Sequence, residues 1–246
     1  MSKTAGAKRL EVLLTEYSFL IGPVVTHDLN DPRTVIFDFT DANPAVREID
    51  PLNPGALGRY IFGAIKAAGA AVGIGRYNED RILYRSGLFR DAGGARTVHL
   101  GIDIWTAAQT PVFAPLQGRV HSLGDNQGEG DYGPTVILEH QLDDVRFYTL
   151  YGHLARSTLK SLAEGVPLRR SQKFAAIGDA GENGGWPPHL HFQIITEMAG
   201  WRGDFPGVAS ADDRGRFLER CPDPNLILGI ERLKTSGGGS NHEDTK

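Results

Sequence analysis

The sequence predicts a mainly β protein, built on an antiparallel β-sheet or sandwich, with an α-containing N-terminal extension. Two observations carry this. After residue 95 the chain runs through short β-branched segments, RTVHLGIDIW, TPVFAP, GRVHSL, TVILEH, RFYTLYGHL, KFAAIG and HLHFQIIT, separated by glycine, proline and asparagine. Strands at such hairpin-like spacing favour antiparallel pairing over a βαβ fold. Before residue 95 the apolar residues instead recur at helical spacing. The expected division is an N-terminal extension over residues 1–95 that packs on the core, a β domain over 96–230 and a flexible tail over 231–246.

Taken in order, residues 7 to 20 place Leu10, Leu13, Leu14 and Phe19 at nearly helical intervals and predict an amphipathic helix. RTVIFDFT, residues 33 to 40, has the content of a strand, and Asp41 to Pro44 reads as a turn. Residues 54 to about 71, PGALGRYIFGAIKAAGAA, are alanine-rich and favour a helix ending before Gly73 and Gly75. That glycine pair lacks the third glycine and the preceding strand of a dinucleotide loop. GDNQGEGDYGP, residues 124 to 134, reads as a solvated loop rather than a calcium loop, whose ligand spacing it lacks. The terminal TSGGGSNHEDTK, with His242, has a flexible composition.

Composition narrows the function classes. With 26 basic and 30 acidic residues in 246, the net charge of -4 offers no footprint for nucleic acid. No apolar run approaches the ~20 residues that span a bilayer, so no membrane span is expected. Glu11, Thr15 and Glu16 interrupt any secretory apolar region near the start, so a cytoplasmic protein is expected. The single cysteine, Cys221 in CPDPN, excludes an internal disulfide and a thiolate metal site, and reads as a partly buried structural thiol.

The chemistry lies in the histidines. In HLHFQII, His189 and His191 are two apart in a strand and therefore share one sheet face, while Leu190 and Phe192 take the other. In HLGIDIW, His99 and Asp103 are four apart, which in an extended strand would separate their Cα atoms by roughly 13 Å. Gly101 between them permits a bend that shortens the span, so a kinked strand is expected. Two imidazoles and one carboxylate suit Zn2+, and three protein ligands leave a fourth position open, the mark of a catalytic rather than structural site. Amide hydrolysis there also requires a proton acceptor and an oxyanion partner, and no HExxH glutamate is present. The remaining histidine of the pair and His153 in YGHL, where Gly152 is expected to give the backbone freedom, fill those roles. His27, His121 and His140 have no partner at ligand spacing.

These motifs resemble the lysostaphin-type, or LytM-like, zinc metallopeptidases, in which HxxxD, a histidine after a tyrosine and a small residue, and HLHF recur in this order. The likeness spans roughly residues 96 to 195, through HLGIDIWTAAQTPVFAPLQGRV, YGPTVILEH, FYTLYGHL and AAIGDAGENGGWPPHLHFQI. It implies a compact antiparallel β core, of barrel-sandwich hybrid type, with a groove over one zinc ion. It makes His99, Asp103 and His191 the ligands, His153 and His189 the catalytic partners, and a peptide bond of the bacterial cell-wall kind the substrate. Gln193 stands where the family commonly has an acid, and GGWPP replaces a Ser-Thr-Gly turn, so an altered groove wall is expected.

GENGGWPPHLHFQI, GDFPGV and CPDPNLILGI also resemble the subgroup of this family found within cytosolic fusion proteins that carry phosphotransferase-like and aminotransferase-like domains. A small amide metabolite is then an alternative substrate, and a non-catalytic binding module a further alternative. By analogy Asn78 in RYNED is a candidate latency ligand, although a surface turn also accounts for it. Residues 201 to 210, WRGDFPGVAS, are candidates for a groove wall.

Overall fold

The computed structural model describes residues 3–50, 53–85, 89–91 and 94–234. Its strands are β1 (Val35–Ile36), β2 (Gly73–Gly75), β3 (Arg90–Asp91), β4 (Gly94–His99), β5 (Ile102–Trp105), β6 (Pro111–Phe113), β7 (Gly118–Asn126), β8 (Gly133–Leu142), β9 (Val145–Gly152), β10 (Pro167–Leu168), β11 (Lys173–Ala176), β12 (His189–Ile195) and β13 (Val208–Ser210). Helices are short and few: α1 (Lys3–Glu16), α2 (Pro44–Arg47), α3 (Pro54–Ala67), α4 (Ser157–Ser161), α5 (Arg214–Arg220) and α6 (Asn225–Leu228). The protein is mainly β, with a large antiparallel sheet, as its residue pattern predicts.

That sheet has eight strands in the order β1-β2-β5-β12-β9-β8-β7-β10. Only the β1–β2 pair is parallel within it. β12 sits between β5 and β9, and every one of its residues is buried because both faces are covered. Leu190, Phe192 and Ile194 enter one core with Ile102, Ile104, Val136 and Tyr151. Ile195 enters the core on the opposite face with Ile137, Leu150 and Phe205. Each such apolar side chain contributes about 1.5–3 kcal/mol on burial, so the central register is strongly determined: a slip by one residue would send the histidines into the apolar core.

The N-terminal residues differ in detail from their pattern. α1 buries Leu10, Leu13 and Leu14 but stops at Glu16, and Phe19 lies 73% exposed in a 3-10 turn over Ser18–Leu20. Only Val35 and Ile36 of the expected strand pair, because Phe37 and Phe39 turn aside into a cluster with Ile61, Ile65 and Trp105. The expected turn at Asp41–Pro44 leads into α2, which Asn43 caps by accepting from the Ala45 amide. Asn53 caps α3 in the same way through Ala56, and α3 ends at Ala67.

Gly73 and Gly75 are not a helix terminus or a loop; they form β2, the strand that joins this segment to β5. A Cβ on Gly73 would fall 2.3 Å from the Phe37 ring, and one on Gly75 would fall 2.7 Å from Nη2 of Arg81. Glycine here makes room for neighbouring side chains. Through β1 and β2 the first 95 residues thus supply edge strands of the main sheet.

Cys221, expected to be partly buried, is fully buried at the end of α5. Glu231–Leu233 forms a 3-10 turn tied to Asn30, and the remaining tail, with His242, lies outside the described residues. No described helix is long and apolar enough to cross a membrane.

Candidate metal centre

The bend expected between His99 and Asp103 is present: β4 ends at His99, Leu100 and Gly101 leave the extended path, and β5 begins at Ile102. It brings Nε2 of His99 within 3.2 Å of Oδ1 of Asp103. Gly101 has a second duty, because a Cβ there would lie 2.5 Å from Cε1 and 2.6 Å from Nε2 of His191. The β12–β5 register sets His191 opposite Asp103, and the β12–β9 register sets it opposite Gly152, the residue before His153.

Three donor atoms converge as a result. Nε2 of His99 is 3.0 Å from Nδ1 of His191, and Oδ1 of Asp103 is 3.2 Å from each of them. Among the described residues this is the one group of His, Cys, Asp or Glu with donor atoms so gathered. The separations match the edge of about 3.3 Å expected for ligands ~2.05 Å from a tetrahedral zinc.

The hydrogen-bond partners test the fit further. Nδ1 of His99 lies 2.9 Å from the Arg76 carbonyl, which can only accept, so the proton is on Nδ1 and Nε2 is bare. Nε2 of His191 lies 2.9 Å from Oε1 of Gln193, whose amide nitrogen donates to the Pro206 carbonyl and to Sγ of Cys221. That pairing orients the amide, puts the His191 proton on Nε2 and leaves Nδ1 bare. Burial and then Arg81 lower the His99 pKa to about 4, so it stays neutral at pH 7. Burial alone would raise Asp103, but His99 and Arg81 outweigh it and hold the carboxyl well below the ordinary range. Two lone pairs and a carboxylate oxygen therefore face one another without a hydrogen between them, an arrangement that a cation satisfies.

Sequence reasoning missed Arg81. It is 2% exposed and binds Oδ2 of Asp103 at 2.5 Å, Oε2 of Glu79 at 3.0 Å and the Tyr84 hydroxyl at 2.7 Å. No local signal marks it, since RYNEDR reads as a charged surface stretch. Gln193 was visible as a departure, but it is not itself part of the groove wall, as Trp186 of GGWPP is; it lies fully buried behind His191. Asn78 is no ligand here: its Oδ1 accepts from Nε of Arg214 at 2.8 Å.

His189 and His153 join the centre from β12 and the end of β9. Nδ1 of His189 donates to the Pro187 carbonyl and Nδ1 of His153 to the Asn183 carbonyl, which leaves both Nε2 atoms bare. Their ring centroids are 4.1 Å apart, and His189 also stacks on Trp105 at 4.0 Å. Nε2 of His189 is 3.9 Å from Oδ1 of Asp103. Burial lowers His189 to about 4 and places His153 well below its ordinary value, so both are neutral bases at pH 7.

Gly152 does not supply the backbone freedom at His153. His153 itself takes the left-handed conformation, φ 60, and Gly152 is required because a Cβ there would meet the Tyr132 ring at 2.5 Å. The strained backbone is secured by His153 N–H on the Tyr132 carbonyl and by Gly178 N–H on the His153 carbonyl.

Over these residues lies a groove. Tyr84, Phe89 and Trp186 form an aromatic cluster on its lining. Residues 201–208 contribute Trp201, Asp204 and Phe205, as expected for a wall. The loop expected over 124–134 is shorter, residues 127–132, because 124–126 and 133–134 pair as the ends of β7 and β8, and it is not wholly solvated, since Glu129, Asp131 and Tyr132 line the groove. Burial holds the Tyr132 phenol well above its ordinary pKa, so it keeps its proton. His27, His121 and His140 hydrogen-bond elsewhere, to Thr106, Ser122 and the Gln117–Thr149 pair.

Comparison with known proteins matches one segment of the chain. Residues 97–201 match Peptidase family M23. A Haemophilus influenzae protein described as an uncharacterized metalloprotease is 32% identical over 137 residues, 53% of this chain and 26% of that protein. The chain thus spans about a quarter of that curated relative's length. Among solved structures, the catalytic domain of the antimicrobial peptidase lysostaphin from Staphylococcus simulans is 20% identical, over 49% of this chain and 80% of that one, with a TM-score of 0.34. A zinc containing peptidase from Vibrio cholerae is 26% identical, over 48% of this chain and 35% of that one, with a TM-score of 0.33.

Proposed function

We propose that this chain, through the segment matching peptidase family M23, is a zinc-dependent metallopeptidase that hydrolyses an amide bond in a cell-wall-type or other short peptide. The observation that carries it is the convergence of three bare acceptor atoms, from His99, Asp103 and His191, beneath a groove into which two further neutral imidazoles face. The match of residues 97–201 to Peptidase family M23 supports the same reading.

In this reading His99, Asp103 and His191 hold the ion. Zinc in such a site supplies Lewis acidity to a carbonyl and lowers the pKa of water from ~15.7 towards ~7. Nε2 of His189 accepts the proton of the attacking water and returns it to the leaving amine, a role suited to a neutral imidazole at pH 7. The protonated Tyr132 phenol donates to the developing oxyanion, while His153, whose bare Nε2 can only accept at neutral pH, stands beside His189 as a second proton acceptor. The aromatic wall of Tyr84, Phe89 and Trp186 orients the substrate chain and excludes water.

The test is metal analysis of protein purified without added metal, followed by mass spectrometry of a cross-linked cell-wall peptide mixture. Stoichiometric zinc and new peptide termini are expected; a protein that takes up no zinc, or a His189→Ala variant as active as its parent, would sink the proposal.

The groove holds about 240 Å³, near the roughly 300 Å³ lower end of small-molecule sites, room for a small ligand. A small amide metabolite is accordingly the second reading. In the fusion-protein setting that GENGGWPPHLHFQI resembles, a soluble substrate replaces intact wall. Loss of a metabolite from a cell extract with muropeptides untouched would select this reading. A purely binding module is opposed by the complete residue set, and hydrolysis of any amide removes it.

A further inference from the structure

We infer that residues 76–84, ahead of the segment that matches the peptidase family, complete the metal centre, and that Arg81 is the positioning residue that keeps Asp103 a one-oxygen ligand. The inference rests on the metallopeptidase reading and assigns a role within it to the N-terminal segment.

Asp103 divides its two oxygens. Oδ1 faces His99 and His191, while Oδ2 receives Nη1 of Arg81. A carboxylate with both oxygens free can close bidentately on a divalent ion, as carboxylates do on larger, higher-coordinate cations. Occupied at Oδ2, Asp103 offers a single oxygen, so with two imidazoles it makes the three-donor set that leaves an open position for substrate.

The guanidinium is placed for this by its own neighbours. Nε donates to Glu79, Nη1 also to the Tyr84 hydroxyl, and Nη2 to the Arg76 carbonyl at 3.3 Å. Its plane lies over the Phe39 ring at 5.1 Å, and Gly75 leaves the space it fills. A lysine could carry the charge but not the fork of donors that reaches Asp103, Glu79 and Tyr84 together. The Arg76 carbonyl that accepts from Arg81 also accepts the Nδ1 proton of His99. One stretch of chain therefore selects the tautomer of the first ligand and the denticity of the second.

The test uses the full chain stripped of metal: parent, Arg81→Lys and Tyr84→Phe, with folding followed by circular dichroism. Zinc affinity is read by chelator competition, and geometry by the visible absorption of the cobalt(II)-loaded protein. In folded Arg81→Lys the zinc dissociation constant should rise roughly 10–100-fold, and the strong four-coordinate cobalt bands should weaken as a second carboxylate oxygen joins. Parent-like affinity and cobalt spectrum in that variant would overturn the inference. Should Arg81→Lys not fold, Tyr84→Phe, which removes one hydroxyl from the cradle, decides by the same two readouts: a weaker version of both changes supports the role, and parent-like values overturn it. A parent that binds neither metal overturns the metallopeptidase reading as well, whereas a metal-loaded parent with unchanged variants removes only the role of Arg81.

Discussion

His191 and Asp103 face each other across β12 and β5, with Nδ1 of the one 3.2 Å from Oδ1 of the other. Because this contact joins two acceptors, Asp103→Asn should abolish tight zinc binding although it conserves shape. The expected loss exceeds the roughly 10–100-fold typical of a lost outer-shell partner, and titration of the metal-free variant by calorimetry checks it.

His153 and His189 lie outside the donor triad, so their loss should separate chemistry from metal content. His189→Ala and His153→Ala are expected to retain parent zinc stoichiometry while peptide hydrolysis falls by about 10²–10⁴. Elemental analysis beside a mass-spectrometric rate assay distinguishes this from loss of the ion, which would place either residue among the ligands.

Gly101 touches the His191 ring so closely that a single methyl has nowhere to go: its Cβ would also sit 2.8 Å from the Phe192 carbonyl. Gly101→Ala should cost about 1–3 kcal/mol of stability as an overpacked site and weaken zinc binding through displacement of His191. Denaturant unfolding of the metal-free protein and a zinc titration measure the two effects separately, and parent-like values in both would refute the close approach.

Gln193 accepts the Nε2 proton of His191 from a buried position. Gln193→Leu leaves that N–H only the Tyr132 hydroxyl at 3.4 Å, and zinc affinity should fall roughly 10–100-fold. Gln193→Glu supplies an acceptor again and should recover most of the loss. Equal affinity for all three proteins would show that the amide does not orient the ring.

His140 provides a pH signature away from the metal. Burial lowers its pKa to about 4, against about 6.5 in the unfolded chain. The unfolded state therefore takes up the proton first, and stability falls as pH drops from about 6.5 to 4, then levels. The contribution is about 3 kcal/mol at the acid end. Unfolding at pH 7, 5 and 4 should show a flatter dependence for His140→Gln than for the parent; identical slopes would remove the assignment.

Much of this centre is legible in one dimension because strand geometry is periodic. The two-residue spacing of His189 and His191 requires a shared face, and Gly101 marks where the strand between His99 and Asp103 bends. Phe19, Gly73 and Gly75 mislead for the opposite reason: their placement depends on what packs against them, and local spacing carries no record of Phe37 or Arg81. Gln193 is noticeable as a residue, yet its task behind His191 depends on Pro206 and Cys221, distant in the chain.

The sequence by itself determined which side chains are candidate donors, their order and the mainly β class, since alternation and ligand chemistry are local properties. Tertiary structure alone decided the register that sets His191 against Asp103, the protonated nitrogen of each imidazole, and the burial of Arg81 against Oδ2 of Asp103. Those features come from atoms far apart in the chain, brought within hydrogen-bond reach by strand pairing and by a core that excludes water.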